Sequence, residues 1–203
     1  MSAPRHVVLA LVSLRLLAGE ISPAEQRLEV AQKRVQTDPK SWQAYNDLAF
    51  AFCRQGRDTG DPTWFDQAEA ALRKSFQLSP GNYDARKLHV AVLLGRGDFK
   101  EALRLAAELN HKTPDDIAGW GLLVDANLGL GNNAEAEKDA QWILDLRPGS
   151  TLGFVKAAAV RERVGDPEGA IEFLDEARRR TSPNDLDEQA WLLKQKARLA
   201  AAK

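Results

Sequence analysis

Apolar residues come in helix-spaced blocks separated by short polar breaks. In "IAGWGLLVDANLGLGNNAEAEKDAQWILDLRP" (Ile117 to Pro148) an apolar-periodic stretch runs to a Gly-Asn break, a second amphipathic stretch follows, and proline ends the unit. Apolar positions three and four residues apart predict two helices joined by a tight turn. The unit recurs: Pro80, Pro114 and Pro148 are 34 residues apart, and the next step reaches Ser182 beside Pro183. Gly97, Gly131 and Gly165 keep this interval, as do Ala102, Ala136 and Ala170. A fixed period of this size predicts a stacked repeat array. Small residues at the alanine positions let paired helices approach closely, and each pair leaves an apolar side that the next pair covers, so stability is roughly a sum of neighbour terms.

The unit resembles the tetratricopeptide repeat (TPR) family, in the manner of bacterial TPR arrays. The third copy matches through Trp120, Leu123, Val124, Gly131, Ala136, Ala140 and Pro148. The second matches through Val90, Leu93, Gly97, Ala102 and Pro114, although Arg86 stands where the first aromatic belongs. The fourth matches through Phe154, Ala158, Gly165 and Ala170, and the first through Tyr45, Leu48, Phe52, Gly56, Ala68 and Pro80. The resemblance implies an all-α fold, a right-handed α-solenoid of antiparallel helix pairs with repeats at about 39–80, 81–114, 115–148 and 149–183.

The flanks read as caps. Residues 22–38 form an N-terminal capping helix, opened by a capping box from Ser22 to Glu25 with Pro23 at the first helical position. Residues 184–203 form a C-terminal capping helix with Trp191, Leu192 and Leu193 for packing and Lys194, Lys196 and Arg198 for solvent. This helix also resembles the first helix of a further repeat, as in a shortened form of a longer array. Residues 1–21 contain the apolar run "VVLALVSLRLLAG" (Val7 to Gly19) after Arg5 and His6. Two readings stay open for it, an export signal and an extra apolar helix that stays on the chain. The first implies an extracytoplasmic, periplasmic location and the second a cytoplasmic one. Kept on the chain, the run is also a plug for the array's groove, in the same chain or a neighbouring copy. It is too short for a stable membrane span and is interrupted by Arg15.

Composition narrows the function. Twenty-eight basic against twenty-nine acidic residues leave a formal net charge of −1, which disfavours nucleic acid as a partner. His6, His89 and His111 form no pair at ligand spacing, and His89 reads as a half-buried packing residue. Cys53 is the single cysteine and has no histidine near it in sequence, so it reads as packing. Asp58, Asp61 and Asp66 lack the alternation of a calcium loop. No catalytic constellation emerges, and neither an enzyme activity, a cofactor nor a metal is expected.

In the family the concave surface is lined by first-helix residues and binds extended or helical peptides. Carried over by position, the groove holds Asn46, Phe50 and Arg54 from repeat one and Lys87 and Leu94 from repeat two. Asp125 and Leu128 follow from repeat three, and Leu152, Val155 and Arg163 from repeat four. Chaperone-binding members grip a carboxylate with a Lys/Asn/Asn/Lys/Arg set; here Asn46, Phe50, Leu88, Ala118 and Leu122 occupy those positions, so that clamp is missing. The resemblance thus implies a non-catalytic scaffold for a protein or peptide partner. The alternative is an assembly module that self-associates through its N-terminal apolar segment or end helices.

One stretch breaks the period. In "RQGRDTGDPTWFDQAEA" (Arg54 to Ala70), Gly56 and Ala68 stand twelve residues apart instead of five. Asp61-Pro62 marks a helix start as Asp166-Pro167 does, so three extra residues lengthen the second helix and four, Arg57 to Gly60, enlarge the loop. Trp64 and Phe65 then cover the end of the first helix near Gly56, or alternatively contact a partner.

Overall fold

The computed structural model describes residues 21–201, which form ten α-helices and no strands. They are α1 (Pro23–Thr37), α2 (Trp42–Thr59), α3 (Thr63–Leu78), α4 (Tyr83–Arg96), α5 (Phe99–Lys112), α6 (Ile117–Leu130), α7 (Asn133–Leu146), α8 (Thr151–Arg163), α9 (Pro167–Arg180) and α10 (Leu186–Ala201). The readings placed on Val7 to Gly19, as export signal, extra helix or plug, lie outside the described residues.

Local chemistry sets the helix ends. The Ser22 hydroxyl accepts from the Glu25 amide at 3.2 Å while the Glu25 carboxylate accepts from the Ser22 amide at 2.9 Å, the reciprocal pair of a capping box. Ser41, Asn82, Asp116, Ser150 and Asp166 cap α2, α4, α6, α8 and α9 through side-chain oxygens. Gly97 and Gly131 end α4 and α6 with φ of 82° and 81°, a backbone that a side chain would strain.

Helices α2 and α3, α4 and α5, α6 and α7, and α8 and α9 pack as pairs, and each first helix also meets the next first helix. Ala68, Ala102, Ala136 and Ala170 are all fully buried, which is why the helices of a pair can lie so close. Four apolar clusters follow one another along the array, from Leu28, Phe52 and Leu72 at one end to Leu174, Leu192 and Leu199 at the other. The described residues do not share a single core. Aromatic wedges join neighbouring repeats: the Phe65 ring sits against Gly56 and Gly95, and one period later Phe99 sits against Gly129.

The irregular stretch departs from expectation. Helix α2 runs for eighteen residues against fourteen in α4 and α6, and Gly60, with φ of 74°, ends it. Arg57 to Thr59 therefore add a turn of helix and do not enlarge a loop. Gly56, expected at the turn, lies inside the helix because the Phe65 ring needs the space of a missing side chain there; a Cβ at Gly56 would stand 2.7 Å from Phe65 Cζ. Helix α3 has sixteen residues against fourteen in α5, so two of the extra residues lengthen the second helix. Asp61 receives the Thr63 amide at 2.9 Å and hydroxyl at 2.8 Å, which starts α3 one residue later than the Asp61-Pro62 pair predicts.

The C-terminal helix also differs from its expected role as a solvated end. Helix α10 packs on α9 through Leu192 and Leu199 and also touches α1, so the last helix meets the first. Its basic residues are engaged: Lys196 Nζ donates to Asp175 at 2.6 and 2.8 Å, and Arg198 forms a two-point pair with Glu162 at 2.7 and 2.8 Å. Lys194 donates to the Asp58 carbonyl oxygen. Leu193, expected in packing, is 47% exposed.

Candidate functional site: the concave cavity

The first helices of the four pairs line an open concave cavity of about 880 Å³, with walls from α2, α4, α6 and α8 and the Phe65 and Phe99 rings at its edge. This volume falls within the range of ligand pockets, roughly 300–1,000 Å³. A second depression of about 550 Å³ adjoins it and is walled by α2, α8 and α10. Arg54, Arg57, Asp125, Leu152 and Lys156 border both.

Of the ten residues expected in the groove, Asn46, Phe50, Arg54, Lys87, Leu94, Asp125 and Leu152 line the larger cavity, and Val155 lines the smaller. Leu128 does not line either. It packs onto the cluster of Val124, Ala136, Ala140, Ile143 and Val160, because the α6 face that carries it turns toward α7. Arg163 is exposed at the end of α8 and borders neither cavity.

Several of the eight lining residues are committed to the protein itself. Asn46 is only 7% exposed and joins a buried polar knot in which Ser75 donates to its amide oxygen at 2.7 Å and Asn82 Nδ2 donates to Ser75 Oγ at 2.9 Å. Asn82 in turn accepts from the Ala85 amide at 3.1 Å and so caps α4. Asn46 thus fixes the junction between repeats one and two. Lys87 Nζ lies 3.0 Å from Asp116 and 3.3 Å from Asp84. Partial burial works against the Lys87 charge, but the hydrogen bond and charge of Asp116, with those of Asp84, raise its pKa above the ordinary value. The same contact, with the Ala118 amide, holds Asp116 below its usual range although burial opposes the shift. Lys156 Nζ binds both oxygens of Asp125 at 2.6 and 2.5 Å.

What remains for a ligand is apolar. Phe50 is 39% exposed, with the guanidinium groups of Arg27 and Arg54 each 5.8 Å from its ring centre. Leu88, Leu94, Leu122 and Leu152 stand around Ala91 and Gly121. Cys53 borders the cavity, and burial, helped by the charge of Glu69, pushes its thiol up to about 12, so it is protonated at neutral pH and a poor nucleophile. Half-buried His89 pairs with Glu69 at 3.1 Å. Among the described residues no group of three or more His, Cys, Asp or Glu side chains is placed to hold a metal ion. No helix among them is long and apolar enough to cross a membrane.

At the cavity's end the sequence reading missed a cluster. Arg54 is 11% exposed; its Nη1 donates to Glu188 at 2.5 Å and its Nη2 lies 2.6 Å from Asp187, charge-paired but not aligned for a hydrogen bond. Arg27 Nε donates to Asp187 at 2.9 Å, and Arg57 Nη1 lies 3.5 Å from Glu188 with its guanidinium 4.2 Å over the Trp191 ring. Burial depresses the Arg57 pKa, the neighbouring Arg54 charge adds to this, and Glu188 and Asp58 oppose it. Arg54 and Arg57, one helical turn apart, face acidic residues bunched at the start of the last helix. That charge pattern was the available signal.

Trp64 stacks on Phe52 with ring centres 5.9 Å apart, and Phe65 is 9% exposed. Both serve packing at the α2–α3 junction, with Phe65 reaching the cavity edge.

An all-helical repeat array with a concave, mostly apolar cavity is the class these observations define. Residues 65–126 match the family model described as tetratricopeptide repeat. The structure is similar to a tetratricopeptide repeat protein from Parabacteroides merdae, with a TM-score of 0.64 at 18% identity over 86% of this chain and 64% of that one. It is also similar to PilW, a type IV pilus biogenesis factor (TM-score 0.55, 15% identity, 96% of this chain and 89% of that one). A thermophilic TPR protein in Thermus thermophilus gives a TM-score of 0.54 at 17% identity over 76% and 89%. A stretch of 44 residues is 48% identical to the putative beta-barrel assembly-enhancing protease of Vibrio cholerae, covering 22% of this chain and 9% of that protein. This chain therefore spans less than two thirds of the Parabacteroides protein and a small part of the Vibrio one. Residues 65–126 thus carry the tetratricopeptide repeat, and the described helices have the fold of TPR proteins.

Proposed function

We propose that this protein is a non-catalytic scaffold that holds an uncharged, apolar segment of a protein partner in the cavity between α2, α4, α6 and α8. The observation that supports this most directly is the pairing of charges in the cavity wall. Lys87 is paired with Asp84 and Asp116, Lys156 with Asp125, and Arg54 with Asp187 and Glu188. A charged ligand group would have to displace a partner already in place, whereas Phe50, Leu88, Leu94 and Leu122 offer apolar contact without that cost. Phe50 is the anchor to test, since it is exposed and its loss leaves no core void. Peptides selected from a random display library against the intact protein should be rich in Leu, Ile, Val and Phe and poor in charge. Phe50→Ala should weaken them about tenfold or more while the melting temperature stays put. Selection of acidic peptides, or equal binding by Phe50→Ala, would refute the proposal.

A second reading, self-association through the end helices, is favoured by Val30 on α1 and Leu186 on α10, 69% and 60% exposed. Light scattering with Val30→Lys and Leu186→Lys separates the two readings: a mass that falls in the variants supports assembly, and a monomeric mass in all three proteins removes it.

A further inference from the structure

We propose that the contact between α10 and the first repeat is an ionic clasp that closes the array into a ring, and that its opening admits a chain to the cavity. The gating half rests on the cavity reading above; the clasp does not.

In a solenoid each repeat touches only its neighbours. Here Arg54 and Glu188, 134 positions apart, and Arg27 and Asp187, 160 apart, are in direct contact. The join is also unlike the other joins among the described residues. The repeats are sealed to one another by apolar clusters, but none of the four includes residues of both α1 and α10. Polar groups make the closure: Arg27, Arg54 and Arg57 on one side, Asp185, Asp187 and Glu188 on the other, with Arg57 lying over Trp191. The extra helical turn in repeat one supplies two of its contacts, through Arg57 and the Asp58 carbonyl that Lys194 reaches.

The clasp has an inner and an outer rung. Arg54 and Asp187 are 11% and 4% exposed, whereas Arg27 and Asp185 are 39% and 42% exposed. Salt screens the outer rung and barely reaches the inner one. Removing the inner carboxylates takes away the attraction across the seam and leaves Arg54 buried without its two acidic partners and Arg57 with Asp58 alone, so hydration of the Arg54 guanidinium favours the open form. Helix α10 then keeps its own seat on α9 through Leu192, Leu199 and the Lys196–Asp175 pair. The seam thus lies between α10 and α1–α2. Arg54 and Arg57 form one wall of the smaller depression and Glu188 and Trp191 the facing wall, so parting them widens the way into the cavity.

Spin labels on Gln32→Cys and Ala190→Cys, in a Cys53→Ala background, measure the seam directly. The parent should give one short distance population, and adding Asp187→Asn with Glu188→Gln should give a second, longer one, with the open-to-closed ratio raised about tenfold or more. Asp66→Asn, whose pair with Arg96 lies outside the clasp, should change nothing. If the double substitution prevents folding, Arg57→Gln replaces it and must show the longer population in smaller proportion. An unchanged distance distribution in a folded clasp variant overturns the clasp. For the gate, stopped-flow binding of the uncharged dye Nile red should be accelerated by the same factor as the open population. Equal rates with an opened seam overturn the gate. No dye binding by any variant counts against the cavity reading and the gate together, and the distance measurement still decides the clasp.

Discussion

Repeats one and three are built from the same parts and do different work. In repeat three, α6 and α7 are fourteen residues each, Gly131 turns the chain, and the pair is sealed by Leu123, Val124, Ala136, Ala140 and Ile143. Repeat one has an eighteen-residue first helix and a sixteen-residue second, with its turn glycine moved to Gly60. The added helical turn makes no contribution to the apolar cluster; it carries Arg57 and Asp58 to the last helix. Regular spacing in an array builds the stack, and a local break in spacing is where the stack can acquire a contact that no neighbour provides.

The sharpest way to probe this comparison is the aromatic wedge that both kinds of repeat share. Phe65 lies between Gly56 and Gly95, whereas Phe99 meets Gly129 and is less buried. Phe65→Ala should cost about 3–5 kcal/mol by urea unfolding, the usual range for removing a buried phenylalanine, and Phe99→Ala should cost distinctly less. Equal losses would mean that repeat one gains nothing from its second glycine.

Next in size are the two glycines of the irregular turn. At Gly56 an added methyl group meets the Phe65 ring, so Gly56→Ala should destabilise by about 1–3 kcal/mol through overpacking. At Gly60 nothing lies within 4 Å, and the cost of Gly60→Ala is conformational only, about 1 kcal/mol for a left-handed residue. Calorimetry that ranks Gly60→Ala as the more damaging of the two would contradict the placement of Gly56 inside the helix.

These glycines also show what the sequence could reveal. Helix pairing, the turns at Gly97 and Gly131 and the buried alanines were legible because each is set within one period by local chemistry. Gly56 was misread because its position matched the period while the reason for a glycine there, the ring of Phe65, depends on the partner helix. Seven of the ten expected groove residues line the larger cavity, since helix phase fixes which face is concave. Leu128 failed because rotation of α6 by a fraction of a turn decides between groove and core. The clasp was out of reach for a different reason: contacts between the first and last helices depend on the summed rotation of every repeat between them, which no single period encodes.

The smallest effect contrasts a charge pair inside the regular stack with those of the clasp. Lys87 on α4 and Asp116 at the start of α6 link successive first helices at 3.0 Å. The depressed pKa of Asp116 means that its contribution is complete above the unfolded value of about 4 and is lost as pH falls through the lower folded value. The raised pKa of Lys87 means that its contribution is complete below the unfolded value of about 10.4 and is lost as pH rises through the higher folded one. The pair therefore stabilises between roughly pH 4 and 10, by about 1 kcal/mol or less for so accessible a contact. Urea unfolding of Lys87→Met against wild type should show that difference at pH 7 and a narrower one at pH 3. The seam distance should stay the same at pH 7, because this pair lies within the stack and not across its closure. A Lys87→Met protein whose α1 to α10 distance lengthens would show that stack and clasp are not separable, and the contrast between the two repeats would fall with it.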